Sequence, residues 1–408
     1  MDAKRKIPFS PPDIREEDIE EVVSALKSGW ITTGPRTKEF EHQMELYLGC
    51  ERAVALNSAT AAMELALRAL GIGPGDEVIV PSYTYTATAS VAVHVGARPV
   101  LVDILPGSVL MDPEKVRAAI NENTKAIMPV DVAGIVADYE PYFALAEEFQ
   151  PIFQPSSPRQ EALGRIAIIA DAAHSFGAVQ KGKHAGTIAD FSAFSFHAVK
   201  NLTTGEGGAL VWRKGLPFDT ETLYHELQLW SLHGQNKDAL AKTQLGAWEY
   251  DIVMPGYKCN MPDTLAALGL SQLRRYDAVI ERRHEIIRRY HQVVVDECGA
   301  EALAHDGQDF HSSGHLYICR LPGFDVAGRN AFITKMAELG VATNVHYKPL
   351  PRMTAYRALG YEIEDYPNAD AFYTNEVTLP LHTCLTDEDV DYVCDAFRSV
   401  WKAYAPAK

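Results

Sequence analysis

The chain has 408 residues, more than one ordinary hydrophobic core uses, so length alone favours two domains in one subunit. Hydrophobic residues make up 47% and charged residues 23%, the balance of a water-soluble globular protein. A net charge of −16 argues against nucleic acid or an anionic membrane as partner, while a locally basic site could still take an anionic substrate. The cysteines Cys50, Cys259, Cys298, Cys319, Cys384 and Cys394 are scattered with no C-x-x-C pair. That fits reduced thiols in a cytoplasm, not a disulfide framework or a zinc site. The first residues carry no apolar signal core, and no run approaches the length of a membrane span.

In chain order, Ile19, Val22, Val23 and Leu26 repeat at helical spacing, and Gly29 is a plausible stop. A loop follows from Trp30. A strand over Ala53–Leu56 then passes through Asn57, Ser58, Ala59 and Thr60 into a helix whose Ala62, Leu65, Ala66, Ala69 and Leu70 share a face. A helix start of small hydroxyl and amide residues offers free N–H groups and a positive dipole end to an anion, although Ser58 could serve only as an N-cap. The next strand, Glu77–Pro81, ends in a run holding Tyr83 and Tyr85 among threonines. Further strands are predicted at Arg98–Asp103 and Lys125–Val130, with helices between, which implies a mostly parallel sheet. Residues 150–164, with three prolines and two serines, read as a solvent-exposed loop that interrupts this rhythm.

The apolar, β-branched run 165–171 reads as a buried parallel strand with Asp171 at its carboxyl end, where ligands bind in open α/β sheets. His174 follows three residues later. His184 and His197 lie further along, but no H-x-x-x-H spacing supports a metal, and none is expected. The stretch 191–208 begins as a strand with Phe191, Phe194 and Phe196, breaks into a polar turn at Lys200 and Asn201, and returns through Gly205, Gly207 and Gly208 to the strand 209–212. A lysine on such a turn, among uncharged and aromatic neighbours, is placed for desolvation and a lowered pKa. A lysine, a buried aspartate and an anion-binding helix start are together what pyridoxal phosphate needs.

Residues 225–262 carry mixed signals, and 245–254, with Trp248 and Tyr250, is aromatic enough to shape a pocket. A long helical pattern opens near Asp263 and carries Arg274-Arg275, Arg282-Arg283 and Arg288-Arg289, read as a solvated face. The strand 315–321, a helix over 328–339 and a returning strand over 340–347 complete a C-terminal α+β unit. The division expected is 1–255 for the N-terminal arm and large cofactor domain, and 256–408 for the bridging helix and small domain.

The stretches Asn57 to Ala62, Pro81 to Ala89, Asp171 to Ala178 and Phe194 to Asn201 resemble the DegT/DnrJ/StrS sugar aminotransferases, fold-type-I pyridoxal phosphate enzymes. The resemblance runs from Gly29 to Leu381 and rests on four ordered motifs. It implies an α/β fold, a mostly parallel mixed sheet sandwiched by helices, with a smaller C-terminal α+β domain. It makes Lys200 the cofactor-bearing lysine and Asp171 the counter-ion of the pyridine nitrogen. His174 would face the phenolate oxygen, and Tyr85 would stack on the ring, leaving Tyr83 to packing. Ser58, Ala59, Thr60 and Ser195 would hold the phosphate. The loop holding Thr32 and Thr33, and the strand end His346-Tyr347, would lie near substrate.

Two loops, from His233 and around Gly256 to Asn260, would reach into the neighbouring subunit's site of a homodimer. There the family commonly has Asn where Lys258 stands and Arg where Asn260 stands; a lysine still suits a phosphate as a point charge. The function implied is ping-pong transfer of an amino group, from glutamate, to a keto group of a nucleotide-linked sugar, 4-keto-6-deoxy first, in cytoplasmic amino-sugar, polysaccharide or secondary-metabolite synthesis. The alternatives are a fold-type-I enzyme acting on small amino acids and a non-catalytic cofactor-binding regulator. A dehydratase relative would carry histidine in place of Lys200, and a nicotinamide-binding fold would need a glycine fingerprint that is absent.

Overall fold

The computed structural model describes residues 5–236 and 249–404. Trp248, Lys237 and Asp238, which fall in the expected pocket-shaping and partner-reaching loops, lie outside the described residues. The strands in chain order are β1 (Arg52–Leu56), β2 (Glu77–Pro81), β3 (Arg98–Val102), β4 (Thr124–Ile127), β5 (Ala167–Asp171), the short β6 (Val179–Gln180) and β7 (Lys183–His184), β8 (Phe191–Ser195), β9 (Gly208–Trp212), β10 (Glu301–Ala302), β11 (Phe310–His311), β12 (Tyr317–Arg320) and β13 (Glu376–Leu379). A seven-stranded sheet runs in the order β1-β9-β8-β5-β4-β2-β3. Strand β9 is antiparallel to both its neighbours, and the remaining pairs are parallel.

Residue alternation explains why this sheet is covered on both faces. Val78, Val80, Ile169, Phe191, Ala193, Leu210 and Trp212 enter one apolar core, which the helix Ala59–Ala69 completes. Their neighbours Ile79, Ile168, Ala170, Phe194, Ala209 and Val211 enter a second core on the opposite face, against Phe40, Met44, Leu270 and Tyr276. Strands buried on both faces need near-continuous apolar runs, and β5 is buried at every position. A third core gathers Ile286, Tyr290 and Val294 with Tyr317, Cys319, Val377, Phe397 and Val400, where the antiparallel sheet β10-β12-β13 meets the helices Val326–Glu338 and Asp387–Tyr404.

Several sequence expectations are corrected. The segment 150–164 is not an exposed loop: it holds a 3-10 turn, Gln150–Ile152, and the helix Pro158–Leu163. The Ser157 hydroxyl and the Gln160 amide donate to the Leu70 carbonyl at 2.7 and 3.0 Å, and Arg159 donates to the Ala69 carbonyl at 2.8 Å. The segment therefore satisfies carbonyls left over at the end of the helix Ala59–Ala69 and puts a cation at its negative pole. The long C-terminal helix is broken at Arg274-Arg275 into Asp263–Leu273 and Tyr276–His291.

The doubled arginines do not form one solvated face. Arg283 is buried and donates to the carbonyls of Gly314, His315 and Leu381, while Arg275 reaches Asp18 at 2.7 Å. Residues 340–347 do not form the expected strand. They are held by single bridges, Val341 to Ile7 and Asn344 to Thr378, the second on the free edge of β13.

Candidate active site

In a parallel sheet every strand delivers its carboxyl end to the same edge, and loops there converge. Strands β1, β2, β4, β5 and β8 point this way, and the antiparallel β9 starts at the same edge. Their termini line a cavity of about 390 Å³ whose walls include Ser58, Ala59, Thr60, Tyr85, Asp171, His174, Ser195, Lys200, His346 and Tyr347.

Strand β1 runs straight into the helix Ala59–Ala69. Ser58 caps it, its hydroxyl oxygen accepting the Ala61 N–H at 3.1 Å, so the capping reading and the cavity position hold together. The first N–H groups of the helix have no intrahelical acceptor and face an anion-sized space. Gly208 allows this start to press on the sheet. A Cβ there would sit 2.3 Å from the Ser58 carbonyl carbon and 2.4 Å from the Ala59 nitrogen, so only glycine fits.

Strand β2 leads to Thr84, Tyr85 and the helix Ala87–His94. Tyr83 is fully buried, donating to the His346 carbonyl at 2.7 Å, whereas Tyr85 is 62% exposed at the cavity mouth. Two threonines of this run build a relay. The Thr88 hydroxyl donates to Asp171 Oδ2 at 2.6 Å, and the Thr84 hydroxyl, 2.9 Å away, completes the chain by donating to Thr88.

Asp171 ends β5 and is buried. Burial pushes its carboxyl up, against the pull of the Thr88 hydroxyl, the Ala173 N–H at 3.2 Å and the Lys200 amine. A buried carboxylate with so few donors has capacity for a cation. His174, one turn on, accepts the Ala133 N–H at Nδ1 (3.3 Å), so its proton sits on Nε2, 3.1 Å from the Tyr347 hydroxyl. Burial, with the charge of Lys200, holds the His174 imidazole well below its usual range, so it is neutral. Burial likewise raises the Tyr347 phenol, which stays protonated.

Strand β8 ends at Ser195 and the chain turns to Lys200, whose N–H bonds the His197 carbonyl at 2.9 Å. Burial lowers the Lys200 amine to about 8, against the pull of Asp171. The turn is braced at both sides. Thr203 N–H reaches Gln272 at 2.9 Å, and the Asn201 amide donates to the Ser313 carbonyl at 2.7 Å. Asn201 in turn accepts from His315 at 2.9 Å, and the His315 ring lies 4.3 Å from that of His174.

His346 hydrogen-bonds Thr378 at 3.0 Å through Nδ1, and burial lowers it to about 4. His197 is exposed at the rim beside Glu206, and His184 packs against Tyr47 outside the site. Thr88, Asn201 and His315 were not singled out from sequence. Thr88 stands in the threonine run after β2, but which of its three threonine hydroxyls faces Asp171 is decided by the helix that starts there.

Thr32, Thr33, Lys258 and Asn260 lie off this cavity. Thr33 donates to the Met261 carbonyl at 2.6 Å and receives the Asn260 amide, and exposed Lys258 bonds Asn260. Among the described residues no arginine lines the Lys200 cavity.

An amine with a lowered pKa, a buried carboxylate short of donors and an open helix start thus meet within one cavity. The set matches the aldehyde, ring nitrogen and phosphate of pyridoxal phosphate. With the mostly parallel sheet, it defines a fold-type-I pyridoxal phosphate enzyme. The chain matches the DegT/DnrJ/EryC1/StrS aminotransferase family over residues 12–398 and belongs to it. It is a pyridoxal-phosphate-dependent aminotransferase.

A curated relative, the spore coat polysaccharide biosynthesis protein SpsC of Bacillus subtilis, is 38% identical over 402 residues, covering 97% of each chain. Among solved structures, the sugar-aminotransferase candidate Spr1654 of Streptococcus pneumoniae in its PMP form has a TM-score of 0.95 at 53% identity, covering 98% of this chain and 100% of that one. PseC of Helicobacter pylori, an aminotransferase of pseudoaminic acid biosynthesis, has a TM-score of 0.85 at 27% identity, with coverage of 98% and 100%.

Proposed function

We propose that this aminotransferase moves an amino group from glutamate to a keto group of a nucleotide-linked sugar, 4-keto-6-deoxy by preference, in polysaccharide biosynthesis. The observation that carries the reading is the meeting of Lys200, Asp171 and the helix start at Ser58 in one cavity, in a chain 38% identical to a polysaccharide biosynthesis protein. The polysaccharide and sugar assignments of SpsC, Spr1654 and PseC support the same substrate class.

When bound, pyridoxal phosphate supplies a conjugated electron sink for the carbon that gives up its proton. Lys200 is the residue that would hold the cofactor's aldehyde carbon, and as a neutral amine it would take the proton from the amino-bearing carbon and deliver it to that aldehyde carbon, a task suited to a pKa of about 8. Asp171, oriented by Thr88 and Ala173, keeps the ring nitrogen protonated. The neutral His174 Nε2–H and the Tyr347 hydroxyl face the phenolate side. The N–H groups of Ala59 and Thr60, with the Ser58 and Ser195 hydroxyls, would hold the phosphate, and Tyr85 would stack on the ring.

The working unit of this reading is a homodimer with shared sites. Lys258 and Asn260 stand away from their own Lys200 cavity, on a loop that also exposes Tyr250, Ile252, Val253 and Tyr257, and Asn260 bonds Thr33 of the loop after Trp30. Such a loop suits a neighbour's cofactor phosphate and substrate. A coupled screen of keto nucleotide sugars with glutamate, read by product mass and NMR, tests the function. Turnover of small keto acids with no turnover of any keto sugar nucleotide would refute it.

A further inference from the structure

We propose that His284, Asp306 and His311 form a binding site for one zinc-type divalent cation, outside the cofactor cavity. Their ligand atoms lie within 4.8 Å of one another, although the residues come from two separate elements and show no ligand spacing in sequence.

His284 projects from the helix Tyr276–His291 and is fully buried. Its Nε2 lies 2.8 Å from the Ser312 carbonyl oxygen, which only accepts, so Nε2 carries a hydrogen. In a neutral imidazole Nδ1 then bears a lone pair, and it faces Asp306 Oδ2 at 2.9 Å. A lone pair against a carboxylate is repulsive unless a cation stands between them. The cation is a proton or a metal ion.

Asp306 and His311 oppose each other across an antiparallel bridge, in a turn closed by the Gly307 N–H on the Phe310 carbonyl at 3.0 Å. The second carboxylate oxygen, Oδ1, is 2.5 Å from His311 Nδ1. The His311 ring stacks 3.8 Å from that of His284. Asp306 therefore has two imidazoles as hydrogen-bonding partners. Lys181, which lines the adjoining groove, spends its amine on Glu140 and Asp138.

Two imidazoles and one carboxylate, with the outer side open to water, are a zinc ligand set that leaves a coordination position free. The hydrogen bond from His284 Nε2–H to a backbone carbonyl is the support that metal-bound histidines characteristically have. Asp306 and His311 are 47% and 42% exposed, so they have room to turn their donor atoms toward an entering ion. Entry displaces the proton between His284 and Asp306, so one proton leaves that position for each ion bound.

The site would brace the cofactor cavity from behind. From His311 the chain continues to Ser313, whose hydroxyl donates to the His174 carbonyl and whose own carbonyl receives Asn201.

The test uses the tag-free holoenzyme, freed of metal with a chelator, desalted, and titrated with Zn²⁺ against a chromophoric competitor. One zinc per chain at micromolar or lower free metal is expected. His311→Ala and Asp306→Asn should each weaken binding by about 100-fold or more, the upper end of what losing even an outer-shell partner costs. The visible cofactor band per chain should stay at the wild-type level in both, and His42→Ala, at an exposed histidine elsewhere, should bind zinc as wild type does. Asp306→Asn, an exposed and nearly isosteric change, carries the test if His311→Ala does not fold. Failure to take up one zinc per chain, or undiminished affinity in a folded variant, overturns the proposal.

Discussion

Replacing Asp171 by asparagine separates charge from shape at the end of β5. The amide fits the existing hydrogen bonds: its oxygen can accept the Ala173 N–H, and its NH₂ can donate to the Thr88 oxygen. Thr88 then turns its own hydrogen to the Tyr85 carbonyl, already 3.3 Å away. Fold and cofactor content should therefore persist. What disappears is the buried negative charge that keeps a ring nitrogen protonated. Removing one member of a buried ion pair costs about 3–5 kcal/mol. If that cost falls on the transition state, turnover drops by about 160- to 5,000-fold. The assay is the half-reaction with glutamate, followed by loss of the visible cofactor band under single-turnover conditions, with cofactor content measured after alkaline denaturation. A variant within about threefold of wild type would show that another group holds the ring nitrogen.

Lys200→Ala should lose the bound visible band and all turnover. In wild-type apoprotein, cofactor capture should accelerate as pH rises through about 8, because burial brings the amine to that value and only the neutral amine attacks; a midpoint above 10 would contradict the desolvation. Gly208→Ala forces a Cβ into the Ser58–Ala59 backbone, an overpacking cost of about 1–3 kcal/mol that should raise the cofactor Kd by about 5- to 150-fold. Gly182→Ala, where a Cβ meets nothing, should leave that Kd unchanged in the same equilibrium dialysis. Mixed Lys258→Ala and Lys200→Ala subunits should recover activity that neither parent has, since both lesions then fall in one site of the heterodimer. Proven subunit exchange without recovery would refute the shared site.

Much of this protein is legible in its residues because local chemistry demands them. Strands β2, β5, β8 and β9 are apolar and β-branched or aromatic since both faces must be buried, and that pattern shows without coordinates. Lys200, Asp171 and the Asn57–Thr60 turn are visible for a related reason: each is a polar group at the end of such a run, although the N-cap role of Ser58 accounts for part of that turn. Four short motifs then sufficed to place the family. Other features depend on what lies across space. The segment 150–164 reads as a loop because its three prolines and two serines signal one, yet the carbonyls that it caps belong to residues 69 and 70.

The arginine pairs at 274–275 and 282–283 read as surface because charge normally is. Arg283 is buried because the remote segments holding Gly314, His315 and Leu381 bring it carbonyls to bind. Residues 340–347 have the composition of a strand, but in the fold they touch Ile7 and the free edge of β13 only through single bridges. Thr88 was distinguished from its neighbouring threonines by helix phase, and His315 by the fold of a remote segment against Asn201. Local pattern determined which segments are buried and which polar groups are out of place; long-range packing alone decided what those groups touch, because hydrogen-bond partners far apart in the chain leave no periodicity in it.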